Sequence, residues 1–241
     1  MYNAWRPGMK MRSRLVVSIG LIAGAILVRN LYVMLFDIPQ DALQGAIYRL
    51  IYFHVPSWMV CGAALFAGWI SSILYLMKRD PRADAFAAAA TEIGLVFCAI
   101  GLGTGTVWAR NQWGMWWTWD ARLTSAFIVF LLYSGYLMLR SVIQEPEEKA
   151  RLSSLVSTFG FLSAIVTYKA NVWWRTQHPG PVLSFRTGGG TIDPAMEHMV
   201  YLNALPLLML AVVFLAVRYS QKQQERELYS LRRLIYTSYS S

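Results

Sequence analysis

Charge is what this sequence has least of: 15% of its 241 residues are Asp, Glu, Lys or Arg, against about a quarter in soluble domains. With 56% of the residues hydrophobic, an ordinary cytosolic globular protein is excluded. Cysteine is nearly absent as well. Cys61 and Cys98 form no CxxC, so neither a disulfide scaffold nor a thiol-redox motif is encoded. Both read as small buried hydrophobes. Histidine occurs three times, with no HExxH and no His/Asp cluster to suggest zinc or a di-metal site. There is no internal repeat, and no low-complexity tract beyond three consecutive glycines at 188–190.

What is present is a set of long apolar runs. A bilayer core takes about 20 apolar residues per helix, and six stretches qualify: 15–36, 55–77, 86–107, 123–143, 152–168 and 199–217. Pro56 opens the second, where a missing N–H costs nothing at a helix start. The first run follows Arg6, Lys10, Arg12 and Arg14 and contains Ala23, Gly24 and Ala25, a signal-peptide pattern. Because it continues to Phe36, it reads as a retained anchor.

Basic residues orient the spans. With both termini in the cytoplasm, that side carries fifteen Lys and Arg and the other side six, and Arg29 lies inside the first span. That asymmetry satisfies the positive-inside rule, so the net charge of +9 reflects topology rather than a nucleic-acid footprint. The expected fold class is all-α: a polytopic helical membrane protein with six transmembrane helices, both termini cytoplasmic, and a single domain over 1–241. External loops are expected at 108–123 and 169–198, and a cytoplasmic tail at 218–241 whose 225–235 stretch reads as an amphipathic helix.

The external side holds the unusual residues. His54, His178 and His198 all lie in or beside its loops, and Trp113, Trp116, Trp117 and Trp119 fall within seven residues, just before Asp120. An interfacial belt accounts for single indoles such as Trp5, Trp58 and Trp108. A cluster on one loop, with Gly114 allowing close backbone approach, makes a platform for a large planar ligand. Imidazole is the commonest neutral nitrogen ligand for iron, and two imidazoles hold a haem axially. Taken singly, either His54 or His178 reads as a hydrogen-bonded interface histidine. Flanking a tryptophan platform, the pair fits a planar metal macrocycle.

The segment Trp113-Gly-Met-Trp-Trp-Thr-Trp-Asp-Ala-Arg-Leu-Thr124 resembles the WWD signature of haem-handling membrane proteins. Arg49-Leu-Ile-Tyr-Phe-His-Val-Pro56 and Trp173-Trp-Arg-Thr-Gln-His-Pro-Gly180 resemble the two histidine segments of the CcmC (haem exporter protein C) family. Thr191-Ile-Asp-Pro-Ala-Met196 is similar to that family's segment before the last span. The resemblance implies haem b bound as cargo on the periplasmic face of the bacterial inner membrane and passed to the haem chaperone CcmE. It implies CcmA and CcmB, an ABC-type pair, and the small membrane peptide CcmD as partners. His54 and His178 would be the axial ligands, and Trp113, Gly114, Trp116, Trp117, Trp119 and Asp120 the platform. Arg49 and Arg122 are candidate propionate contacts, since guanidinium binds carboxylates bidentately; their ordinary readings are snorkelling and headgroup contact. Asp120 reads equally as the N-cap of the fourth span.

His198 reads as a surface histidine. Gly101, Gly103 and Gly105 mark close helix packing rather than a nucleotide loop, lacking both a preceding strand and a lysine. Arg29 and Glu92, ionisable within spans, stay open. The expected function is positioning haem for transfer, with no acid–base pair and no ATPase motif to suggest a classical enzyme. Two other readings remain open: a cytochrome c haem lyase of the same superfamily, and a haem-transporting permease subunit.

Overall fold

The computed structural model describes residues 7–180 and 192–239, with side chains from 13 to 180 and 192 to 238. Trp5 and residues 181–191 of the 179–194 loop, including the glycines at 188–190, lie outside the described residues. The described residues form six α-helices: α1 Pro7–Phe36, α2 Ile51–Lys78, α3 Pro81–Trp113, α4 Ala121–Val142, α5 Pro146–Trp173 and α6 Pro194–Tyr239. Each is long and apolar enough to cross a bilayer, and no strand occurs among the described residues. This is a multi-pass membrane protein of the expected all-α class. Packing centres on α2, which contacts α3, α5 and α6; α4 lies against α5 and α3, and α1 packs chiefly on α6.

Every helix outruns its apolar core, because polar ends continue the helix into the aqueous boundary. Thus α3 carries Trp108 and Trp113 on its last turns instead of in a loop, and α5 runs through to Trp173. The tail expected to start at 218 is not separate: α6 continues unbroken to Tyr239 with Leu228, Leu231 and Ile235 exposed. Starts and stops follow local chemistry. Asp80 caps α3 by accepting from the Arg82 N–H at 2.8 Å, with Pro81 at the first helical position. Gly114 ends α3 at φ +72°, a left-handed conformation open to glycine without strain.

The expected start of α2 at Pro56 is corrected by the structure. A 3-10 turn over Ala46–Leu50 leads into α2 at Ile51, and Pro56 sits inside the helix. A proline there leaves the carbonyl four residues back, Tyr52, without its helical N–H. In lipid such a carbonyl must find another donor. It accepts from Asn203 Nδ2 of α6 at 2.9 Å. Pro206 orphans the Leu202 carbonyl in the same way, and Asn30 Nδ2 of α1 donates to it at 3.1 Å. Asn30 Nδ2 also donates to Asn203 Oδ1 at 3.0 Å, and both asparagines are fully buried. Two interior prolines and two asparagines therefore knit α1, α2 and α6 together. Arg29 adds to the edge of this network by donating to Asn30 Oδ1 at 3.1 Å.

The far end of the bundle is held by charge. Arg140 grips Asp84 through two bonds of 2.6 and 2.9 Å, and its guanidinium lies over the Tyr136 ring. Glu92, open in the sequence, is ion-paired to Arg218 at 2.5 Å and Lys222 at 3.1 Å, fastening α3 to α6. Small residues let the aromatic core close: a Cβ on Gly160 would lie 3.0 Å from Tyr133.

Asn203→Leu removes the donor to the Tyr52 carbonyl and is expected to cost about 1–3 kcal/mol, the price of an orphaned buried polar group. Adding Pro56→Ala restores a backbone N–H, so the same Asn203→Leu change should cost less in that background. Thermal unfolding in detergent of the four proteins measures this coupling. Equal losses in both backgrounds would mean that Asn203 does not act through Tyr52.

Candidate functional site

The fold brings His54, on the second turn of α2, against His178, five residues past the end of α5. Their ring centres are 6.4 Å apart with planes inclined by 31°. Two imidazoles ligating one metal ion from opposite sides, with bonds of about 2 Å, would have centres roughly 6 Å apart. The observed separation is close to that value.

The hydrogen bonds of each ring decide which nitrogen is available. His54 Nδ1 lies 3.1 Å from Thr104 Oγ1. The Thr104 hydroxyl directs its one proton to its own helix, with the Ile100 carbonyl at 2.8 Å and that of Gly101 at 3.1 Å. Toward His54 it can therefore only accept, which places the proton on Nδ1 and a lone pair on Nε2. His178 Nδ1 lies 2.8 Å from the Pro179 carbonyl, again an acceptor, with the same outcome. Both imidazoles are thus tied through Nδ1 and present an unprotonated Nε2, the tautomer a metal requires. Burial pushes the His178 pKa below its ordinary value; the Pro179 carbonyl and Asp120 oppose this, and Arg122 adds to it. Burial thus favours the neutral ring.

Glycines make room for the His54 side. A Cβ on Gly105 would stand 3.1 Å from His54 Cε1, and one on Gly101 only 2.7 Å from the Trp58 indole. Trp58 in turn meets His54 edge-on at 6.4 Å. The packing expected of Gly101 and Gly105 is thus real, and what it admits are the rings at the site; Gly103 faces open space. Trp58 belongs to this wall and not to an interfacial belt.

Asp120 serves two segments at once. Its Oδ1 accepts from the Leu123 N–H at 2.8 Å, capping α4, and its Oδ2 accepts from the Gln177 N–H at 3.0 Å. The tryptophan loop is thereby strapped to the residue preceding His178. Arg122 Nη1 donates to the carbonyls of Thr167 and Tyr168 on α5, at 3.0 and 3.2 Å. Its other two nitrogens carry no bond among the described residues.

The indoles separate into two groups. Trp113 meets Trp108 at 5.2 Å, and Trp108 Nε1 donates to Gln44 Oε1 at 2.8 Å. Trp117 packs between Trp119 and Phe127, while Trp116 and Trp119 are mostly exposed. Arg49 turns toward the Ile38 carbonyl, 3.4 Å from its Nη2, and its buried Nε has no partner among the described residues. His198 is exposed at the start of α6. The structure therefore brings Asp120 and Arg122 to the His54–His178 pair, and among the described residues Arg49, Trp113, Trp116, Trp117 and Trp119 make no ring contact with either imidazole. Thr104 and Gln177 are neighbours of the histidine pair that the sequence pattern did not single out. For Thr104 the only signal was the i, i+4 spacing of Gly101 and Gly105 opposite a histidine-bearing helix.

Chemically, two Nε2 lone pairs are too few for a bare ion. Among the described residues there is no cluster of three or more His, Cys, Asp or Glu. A metal that brings its own equatorial donors would need two axial ligands, the number of imidazoles that stand here.

The sequence was also compared with those of known proteins. The sequence profile of the family described as CcmC, Heme exporter protein C, matches residues 3–233. Heme exporter protein C of Bradyrhizobium diazoefficiens is 34% identical over 176 residues, which cover 73% of this chain and 64% of that protein, just under two thirds of its length. The protein of the same name from Paracoccus denitrificans is 31% identical over 197 residues, 81% of each chain. That from Escherichia coli K12 is 30% identical over 181 residues, covering 75% of this chain and 72% of the other.

Asp120→Asn keeps one carbonyl oxygen for the α4 cap but turns an NH2 toward the Gln177 N–H. Hydrogen exchange should then rise at Gln177 and stay slow at Leu123, whereas Asp120→Ala should speed both. Unchanged exchange at Gln177 in Asp120→Asn would remove the strap from this account.

Proposed function

The chain belongs to the Heme exporter protein C family, and on that premise we propose that it binds haem between His54 and His178 and hands it to the chaperone CcmE during c-type cytochrome maturation. The observation that carries this reading is the matched pair of imidazoles, each held through Nδ1 with Nε2 unprotonated, at a separation suited to one axially ligated iron. Haem b is the proposed cargo, and its iron and vinyl groups supply the reactivity. The residues supply orientation.

In this reading Thr104 and the Pro179 carbonyl hold the ligand rings in register. Asp120, by accepting from Gln177, keeps the His178 segment over the α3–α4 end of the bundle. Arg122 has two nitrogens to offer a propionate and keeps its third on α5. Arg49, with an unpartnered buried Nε, is the second candidate propionate contact. Trp113, Trp116, Trp117 and Trp119, with Gly114, form the aromatic margin, and exposed Trp116 and Trp119 lie where an incoming chaperone would meet the cargo. Ligation of the iron by His54 and His178 would leave the porphyrin edge open, so that a chaperone histidine could add through its ring nitrogen to a vinyl that stays on the haem.

The proposed setting is the bacterial inner membrane, with both termini cytoplasmic and the histidine pair periplasmic; fifteen basic residues against six support that orientation. One domain spans 1–241, and CcmA, CcmB and CcmD are the proposed membrane-complex partners. No nucleotide-binding loop is present, so ATP hydrolysis falls to a partner.

Haem titration of the purified full-length chain, followed by the Soret band, tests the site. His54→Ala and His178→Ala should each abolish tight binding. Thr104→Val should weaken it about tenfold, the usual effect of removing a partner of a ligating imidazole, and Thr104→Ser should restore it. Undiminished affinity in both histidine variants would overturn the assignment and bring His198 forward as ligand.

A further inference from the structure

The face of α1 turned away from α6 carries a charge that nothing in the chain answers. Arg29 is exposed and makes one hydrogen bond, to Asn30 Oδ1. All thirteen Asp and Glu of the sequence are among the described residues, and none pairs with it. Arg29 lies seven residues before the end of α1, about 10 Å along the axis, in the half of the bundle that holds His54. Ionisable groups at such depth ordinarily face protein or a polar cavity and pair with a partner.

The two outward faces of α1 differ in composition. One presents Val17, Leu21, Val28, Leu31 and Leu35, bulky aliphatic side chains suited to lipid. The other presents Ser18, Ile22, Ala25, Arg29, Tyr32 and Phe36, all exposed. These six are spaced alternately four and three residues apart, the repeat of a left-handed two-helix seam. Small residues at Ser18 and Ala25 permit close approach of a second backbone, the usual basis of helix association in lipid. Only 17% of the apolar window of α1 is buried within this chain, against 61% for α3, so the face is open to a neighbour.

We propose that this seam docks a transmembrane helix of another protein carrying a carboxylate opposite Arg29. The Asn30–Asn203 network is what presents the cation: Asn30 spends both amide protons on α6, so its carbonyl oxygen is left to steer the guanidinium outward. A second copy of this chain fits poorly, because a two-fold parallel pairing on the seam sets Arg29 against Arg29. The proposal goes beyond the haem reading and does not depend on it.

The test uses the full-length chain, labelled with a fluorescence donor and reconstituted in phosphatidylcholine vesicles. Acceptor-labelled synthetic Leu/Ala helices are added, bearing either one Asp or Leu at the position facing Arg29. The Asp helix is expected to associate at least fivefold more tightly than the Leu helix. Arg29→Leu should erase that preference, and Ala25→Phe should weaken association at least fivefold while Val28→Phe leaves it unchanged. Equal binding of the two helices would overturn the proposal, as would a preference that survives Arg29→Leu. A preference abolished in phosphatidylglycerol vesicles would assign Arg29 to lipid phosphate instead, and energy transfer between two labelled copies would assign the seam to self-association.

Discussion

In a medium without water, the Tyr52 carbonyl freed by Pro56 has to be satisfied from inside the protein, and the placement of His54 follows from how that is done. The donor is Asn203, itself held by Asn30, so one turn of α2 is pinned to α6 and α1 two residues from His54. A helix bearing an interior proline would otherwise be free to bend at this point. The bond from Asn203 converts a weak point into a fixed one. From there the His54 ring is directed by a glycine at 105, a threonine at 104 and the indole of Trp58, all of which presuppose that the turn stays where it is.

The opposite side of the site is built by a different device. His178 is not on a helix, and a loop residue needs its own restraints. It has a local one, its Nδ1 proton on the Pro179 carbonyl, and a long-range one, the Asp120 strap on Gln177. Asp120 caps α4 with one oxygen and holds the loop with the other, so the capping and functional readings of this residue describe the same carboxylate. If the pair ligates haem as proposed, the helix side would set the position of the iron and the loop side could yield to let a large planar cargo in and out.

Much of this was legible in the sequence. Apolar runs of sufficient length gave six helices because the bilayer leaves few alternatives. Three histidines, two of them flanking a tryptophan cluster, pointed to the pair that the fold brings together. The helix ends were not legible, since hydropathy stops at the edge of the apolar core whereas the backbone at Trp113, Trp173 and Tyr239 continues in helical form. Nor was Pro56 as an interior residue. It reads as a helix start unless one knows that Asn203, some 150 positions away in sequence, supplies the missing donor. Asn30 and Asn203 had a readable signal all the same: each is a lone amide in an apolar span, and Asn203 stands three residues before Pro206. The split of the tryptophans into two groups was beyond a linear reading, because the boundary between helix and loop falls at Gly114, within the motif itself.

The central claim is that two imidazoles, both through Nε2, ligate one iron. Low-temperature electron paramagnetic resonance of the full-length protein saturated with ferric haem tests it most directly. Ligation by both imidazoles predicts a rhombic low-spin signal of bis-imidazole type, replaced by a high-spin signal in either His54→Ala or His178→Ala and recovered on adding free imidazole. A high-spin, five-coordinate signal in the unaltered protein would contradict it, as would a low-spin signal indifferent to both substitutions.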